Sequence, residues 1–361
     1  MKILSQKIKT KGIRLIISAL CAALLVSACR PAAEPATPTP PPSLTVMTHD
    51  SFAVSEDVVA GFEAQAGVKV QFIKAGDTGT ALNKAILAKG NPLADVFYGV
   101  DNTFLSRAIR EAIFEPYASP LLQDIPAEFQ LDPQNRLLPV DYGDVCLNYD
   151  KAYFKDKGLQ PPRNLDDLTD PAYKSMLVVQ NPALSSPGLA FLLASIGVYG
   201  EQGYLAFWEK LVANDLKVVN DWETAYYTEF SVHGGERPIV VSYSSSPPAE
   251  VIFAETPISE PPTGVVTEDR SCFRQIEFVG ILAGAKNRPL AEKWVDFMLS
   301  TAFQEDMPLQ MFVFPVNPKA QLPAEFQKFV VIPAATALVE PQLIDQNREK
   351  WIQAWTESVL R

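Results

Sequence analysis

The stretch IVVSYSSSPPAE, Ile239 to Glu250, sets an apolar β-branched run directly against a hydroxyl cluster and two prolines, with Tyr243 at the junction. β-branched residues suit a pleated strand. A serine just ahead of a helix accepts a backbone N–H left unpaired in the first turn, and proline has no N–H to lose there. The stretch therefore reads as strand, junction and helix start. Four other passages repeat it: THDSFAVSEDVVAGF (48–62), AGDTGTALNKAI (75–86), YGVDNTFLSRAI (98–109) and NPALSSPGLAFLL (181–193).

Working outward, β-branched or aromatic runs at 44–48, 68–73, 94–99, 145–149, 176–180, 216–220, 238–243 and 275–282 read as strands. Between most of them lie stretches of helical periodicity, at 58–66, 81–89, 103–111, 189–199 and 204–213. Alternation of this kind predicts α/β layers with mostly parallel sheets. All five junctions then fall at carboxyl ends of strands, the edge where open α/β sheets bind ligands. Capping explains any one of them; their repetition points to a cleft.

At 361 residues the chain suits one large or two medium domains. An apolar fraction of 47% with 20% charged is that of an ordinary globular protein, which excludes a disordered or collagen-like chain. The formal net charge is −11, and residues 1–28 contribute five basic side chains and no acidic one, so the remainder is more negative still. Such a surface repels nucleic acid and anionic lipid, and it fits a cationic ligand.

Lys2, Lys7, Lys9, Lys11 and Arg14 precede the apolar run LIISALCAALLV (15–26), too short for a comfortable bilayer span and right for the core of a signal peptide. The next residues, VSAC (26–29), resemble the lipobox of bacterial lipoproteins, in which a cysteine is lipidated and becomes the new N-terminus. Cys29 is the lipidation candidate on that reading. Residues 29–43 hold six prolines in fifteen, a semi-rigid spacer of roughly 3 Å per residue. A folded body outside the cytoplasm, held to the membrane by lipid, is the expectation.

Over essentially the whole remaining chain the passages THDSFA, DYGDVCLNYDK, NPALSSPGL, VNDWETAYY, VSYSSSPPAE, AFQEDMPLQMFVFPVN and REKWIQAWTESVLR, in this order and spacing, resemble the thiamine-binding solute-binding proteins of ABC transporters. More broadly, they are similar to the two-lobed type II binding proteins that include the ferric-ion binders. The resemblance implies two α/β lobes joined by crossing strands and closing on ligand, with a permease and its ATPase as partners, no cofactor and a monomeric state. DYGDVCLNYD (141–150) looks like one crossing and CFRQIEFVG (272–280) the return. The implied division is signal peptide 1–28, linker 29–43, first lobe 44–141 and 278–361, and second lobe 142–277, with helices closing the C-terminus.

The same resemblance suggests site residues. His49 occupies a position aromatic in the thiamine binders, Asp77 matches an acidic loop residue, and Ser185 matches a cap serine placed to meet a phosphate or hydroxyl. Trp222 and Tyr243 match pocket aromatics, Phe312 falls where tryptophan is common, and Ala249 where a second tyrosine is common. Asp50, Thr78, Asp101 and Ser186, at the same junctions, complete the expected ligand-binding set. Independently of the family, these residues are largely aromatic or acidic, and no junction carries Lys or Arg ahead of its helix. Stacking and cation–π contact stabilise a flat organic cation by about 0.5–2 kcal/mol per face. Thiamine is such a cation.

With Cys21 in the signal segment and Cys29 lipidated, Cys146 and Cys272 remain, one on each proposed crossing strand, and in an oxidising compartment they pair. Two free buried thiols are the alternative. The chain has two histidines and no G-x-S-x-G, H-E-x-x-H or C-x-x-C, so no familiar hydrolase or zinc site is visible and the protein is read as a non-enzyme. The HGG at His233 is a turn. Two other ligands stay open: a ferric ion on adjacent Tyr226 and Tyr227, since phenolate suits a hard metal, and a polyamine, which also wants acids and aromatics.

Overall fold

The computed structural model describes residues 42–361. The signal segment, Cys21, Cys29 and most of the proline-rich spacer fall outside the described residues. The strands, in chain order, are β1 (Ser43–Thr48), β2 (Lys69–Lys74), β3 (Val96–Asp101), β4 (Phe114–Glu115), β5 (Leu138–Asp150), β6 (Leu177–Gln180), β7 (Lys217–Val219), β8 (Ile239–Tyr243), β9 (Thr263–Val266), β10 (Phe273–Leu282) and β11 (Phe314–Pro315). The helices that bear on the site and core are α1 (Glu56–Ala66), α2 (Thr78–Leu87), α3 (Leu105–Arg110), α4 (Ser186–Ala213), α5 (Ser246–Ile252), α6 (Arg288–Leu299) and α7 (Pro341–Val359).

One hydrogen-bonded path runs β2-β1-β3-β10-β5-β8-β6-β7. Its two ends are parallel: β1 with β2 and β3, and β6 with β7 and β8. Its middle is antiparallel, through the pairs β3–β10, β10–β5 and β5–β8. The sheet is therefore mixed rather than mostly parallel, because the polypeptide enters and leaves the second half on strands that run opposite to their neighbours. β5 is long for this reason. Its first residues pair with β10 and β11, while Val145–Tyr149 pair with β8 and Leu147–Asp150 with β9.

Cys146 and Cys272 are joined by a disulfide, with a Cα–Cα distance of 4.4 Å. It lies where Phe273 of β10 pairs with Val145 of β5, so the two crossing strands are tied covalently beside their ladder.

Tryptophans anchor the cores. Trp294 of α6 meets Phe62 of α1 edge-on at 4.9 Å. Trp208 of α4 meets Trp355 of α7 at 5.4 Å, again edge to face. The helical periods at 189–199 and 204–213 belong to one element, α4, which breaks at Gly200, whose φ of +69° and ψ of 172° no helical residue adopts.

Candidate ligand-binding cleft

Parallel strands of both halves, β1 and β2 in one and β6, β7 and β8 in the other, end on one cavity of about 1060 Å³. His49 and Asp50 follow β1, Asp77 and Thr78 follow β2, Ser186 follows β6, Trp222 follows β7 and Tyr243 ends β8; all of them, and Phe312, line it. Gln275 and Glu277 of β10 line it as well. The volume suits a small organic molecule, for which pockets run to about 300–1,000 Å³.

Two members of the expected set do not line this cavity. Ser185 is buried with its hydroxyl unpartnered, and its neighbour Ser186 faces the space instead. Asp101 lies fully buried behind the wall, accepting from the Ser186 hydroxyl, from the Thr103 N–H at 2.7 Å and from the Thr103 hydroxyl at 2.5 Å.

The capping expectation needs correction too. Of the five junctions, only Asp77 gives a helix cap bond, accepting the Thr78 N–H at 2.6 Å. Ser55, Ser185 and Ser245 stand at N-cap positions without capping. More distant partners claim two of these hydroxyls. Ser55 donates to Asp306, and Ser245 donates to the Phe312 carbonyl. Phe312 itself holds a φ of +57°, a left-handed conformation that costs a non-glycine residue about 1 kcal/mol or more.

On the β1–β3 side a buried acid cluster underlies the cavity. The His49 Nε2 lies 3.4 Å from Glu277. The Tyr98 hydroxyl lies 2.6 Å from an Asp141 oxygen and 2.9 Å from a Glu277 oxygen. Burial and the neighbouring Glu277 charge push Asp141 well above the carboxylate range. Burial is the largest single influence on Glu277 and raises it, but the charge of His49 and hydrogen bonds with His49, Tyr98 and Asp141 together outweigh it and hold the group low. Burial works against a proton on His49, while Glu277, Asp77 and Asp101 together raise it. The shifts thus favour the proton on His49 and on Asp141 and the charged form at Glu277. Gly99 makes room for it: its φ is +109°, and a Cβ there would stand 2.4 Å from the His49 Cδ2.

The opposite wall is aromatic. Trp222 stacks on Tyr226 at 4.9 Å, meets Tyr227 edge-on at 5.4 Å and donates its indole N–H to Ser242 at 3.0 Å. The Tyr226 hydroxyl donates to Glu250 at 2.5 Å, and Thr263 donates to the other Glu250 oxygen at 2.6 Å. Burial raises Glu250 to about 7 and Asp77 to about 6. Phe253 and Phe312 meet edge to face at 5.2 Å, and both line the cavity.

Glu250, Gln275 and Glu277 are absent from the sequence-based set. Glu277 left a trace: a carboxylate inside the apolar run QIEFVGIL is a charge that a buried strand must pair. Glu250 left none, since a lone acid after two prolines reads as a solvated helix start.

Known proteins share this fold and much of this sequence. The family described as bacterial extracellular solute-binding protein matches residues 91–338. The thiamine-binding periplasmic protein of Salmonella typhimurium is 32% identical over 89% of this chain and 94% of its own length. A solved periplasmic thiamin binding protein superposes with a TM-score of 0.78 at 29% identity, covering 89% of this chain and 97% of that one. The ferric binding protein from Campylobacter jejuni, at a TM-score of 0.72 over 87% of this chain and 99% of that one, shares 18% identity and hence the fold alone. A cavity at parallel strand ends, two crossing strands and this breadth of likeness lead to one conclusion: the chain belongs to the bacterial extracellular solute-binding protein family.

Proposed function

We propose that this protein captures thiamine between two lobes and delivers it to the permease of an ABC importer. The observation that carries the reading is the lining of the cavity: aromatic faces at Trp222, Tyr243 and Phe312 on one side, carboxylates at Asp77, Glu250 and Glu277 around them, and among the described residues no lysine or arginine. A flat cationic heterocycle is stabilised there by stacking and by charge. The names of the relatives support the same ligand.

The lobes are residues 44–141 with 278–361, and residues 142–277, hinged where β5 and β10 cross. Binding favours the closed arrangement because the ligand then touches both walls at once. No chemistry at the ligand is required. The protein acts as a monomer outside the cytoplasm, anchored through lipid on Cys29. Two acyl chains at about 0.8 kcal/mol per buried methylene hold a protein on a membrane, whereas one short chain does not. Membrane-fraction protein that becomes soluble in Cys29→Ala supports the anchor, and wild-type protein that is already soluble refutes it.

The ferric reading fits the cleft less well. A phenolate ligand must lose its proton, and burial together with Glu250 pushes the Tyr226 phenol well above its ordinary value. Titration calorimetry with thiamine, ferric citrate and spermidine separates the three ligands. Thiamine binding, unaffected by excess spermidine, is the expected result; an iron-dependent visible band without thiamine binding would replace it.

A further inference from the structure

Gln275 stands on the crossing strand β10 and lines the cavity while only 4% exposed. A primary amide has two N–H donors and two lone pairs, and burial makes each unfilled place costly. Its contacts are all long. The amide nitrogen lies 3.4 Å from Asp101 and 3.4 Å from the Ser186 hydroxyl, and the Tyr243 hydroxyl lies 3.5 Å from the amide oxygen. Bonds of full strength between such groups run to about 3.2 Å. Among the described residues the amide has no closer polar partner. The other two amides on the cavity wall differ: Gln310 donates to Ser55 at 3.1 Å, and Asn220 is exposed. A buried amide held only by weak contacts at a cavity wall is ready to exchange them for shorter bonds to a ligand.

Its neighbours fix which way the amide points. Gly143 of β5 pairs with Gln275 in register, and the Tyr243 ring fills the space that a side chain at Gly143 would take. On the other side, Asp101 accepts from the Ser186 hydroxyl and from the Thr103 N–H, so it presents acceptor oxygens to the amide nitrogen. Turning the amide over would set its oxygen against one of these. Gln275 thus offers an acceptor beside Tyr243 and a donor beside Asp101, in one fixed order. Charge supplies no such order. Asp77, Glu250 and Glu277 attract a cation, and the His49 ring, 3.4 Å from Glu277 on the same wall, offsets part of that attraction. Neither effect separates two heterocycles of equal charge.

We infer that Gln275 is a specificity-determining residue, pairing through its acceptor and donor together with a flat ring that carries an amino group next to a ring nitrogen. This rests on the thiamine reading above: the pyrimidine ring of thiamine has that edge, and its thiazolium ring has the charge. An analogue with an oxo group and a ring N–H in those two places reverses the order at the same charge, and the fixed amide rejects it.

The test is titration calorimetry at pH 7.5 on the full chain freed of ligand, with thiamine and with oxythiamine, which has an oxo group in place of the amino group and keeps the thiazolium. Thiamine should bind on the order of 30-fold more tightly. Gln275→Met keeps the length of the side chain and removes both donor and acceptor. It should weaken thiamine on the order of 30-fold and bring the two ligands within about threefold of each other. Gln275→Asn withdraws the amide by one methylene and supplies the same narrowing should the first variant fold poorly. Thiamine and oxythiamine bound within about threefold by the wild type would overturn the inference and leave the thiamine reading standing. A preference that survives undiminished in a folded variant would take Gln275 out of the role. No binding of thiamine by the wild type would refute the thiamine reading itself, and the inference with it.

Discussion

The rings of Trp222 and Tyr226 lie 4.9 Å apart and within 16° of parallel, so one face of the cleft indole is already stacked inside the protein. Its N–H is committed to Ser242 as well. A ligand therefore meets the opposite face or edge of a ring that is held in place beforehand. Holding the ring costs the ligand nothing at binding, which favours affinity.

Trp222→Ala should weaken thiamine binding by about 1–2 kcal/mol, the scale of one stacking and cation–π face. The other four tryptophans, Trp208, Trp294, Trp351 and Trp355, are fully buried in the cores. Quenching of emission by ligand should thus come from Trp222 and disappear in Trp222→Phe. Full quenching in that variant, or unchanged affinity in the alanine variant, would take Trp222 out of the site.

Much of the fold was legible because it rests on local rules. β-branched runs announced the longer strands, and the two crossings stood out as DYGDVCLNYD and CFRQIEFVG. β4 and β11, of two residues each, pair only because β10 and β5 pass beside them, and nothing local marks them. The cap serines were legible as helix starts and misleading as caps. Ser55 donates to Asp306, 251 residues away, and its oxygen accepts from the Gln310 amide at 3.1 Å, so tertiary partners orient the hydroxyl away from the first-turn N–H groups. The Glu250 partnership with Tyr226 and Thr263 depends on three separate elements meeting, so no periodicity could reveal it.

Binding should be pH-dependent with a definite sign. Asp77 titrates at about 6 and Glu250 at about 7, both raised by burial. A bound cation favours their charged forms, so thiamine binding should release protons between pH 6 and 7, and affinity should fall as pH drops from 7.5 to 5. The ligand-free protein should behave oppositely. Its raised carboxyl groups bind protons more readily folded than unfolded, so their contribution to stability falls as pH rises from the ordinary carboxylate range through 6 and 7. Calorimetry in buffers of different ionisation enthalpy reads the proton release; proton uptake would contradict the assignment.

Removal of the disulfide should be felt in stability more than in binding. Cys146 and Cys272 stand 126 residues apart, and closing such a loop contributes roughly 4–5 kcal/mol in the chain-entropy model. Their double replacement by alanine should lower the melting temperature on the order of 5–10 °C. Since neither cysteine lines the cavity, thiamine affinity in the folded variant should hold within about twofold. An unchanged melting temperature would show that the bridge contributes nothing measurable.

Tyr243 owes its position to the absence of a side chain at Gly143 on β5. A Cβ at Gly143 would stand 2.9 Å from the Tyr243 Cδ1 and 3.1 Å from its Cε1. Gly143→Ala must therefore displace the ring from this place, and thiamine affinity should fall about tenfold, or about 1.4 kcal/mol. Loss of the hydroxyl alone is a different experiment. The Tyr243 hydroxyl has only a long contact of 3.5 Å to Gln275, so it is free to meet a ligand. Tyr243→Phe should cost about 0.5–1.5 kcal/mol of binding where that hydrogen bond forms, and almost nothing where the ring only packs. The double variant with Tyr243→Ala decides how Gly143 acts. If the effect runs through the ring, Gly143→Ala adds nothing further once the ring is gone, and calorimetry shows strong coupling between the two positions. Simple additivity would mean that the alanine distorts β5 itself, and Tyr243 would lose its place as the wall that Gly143 seats.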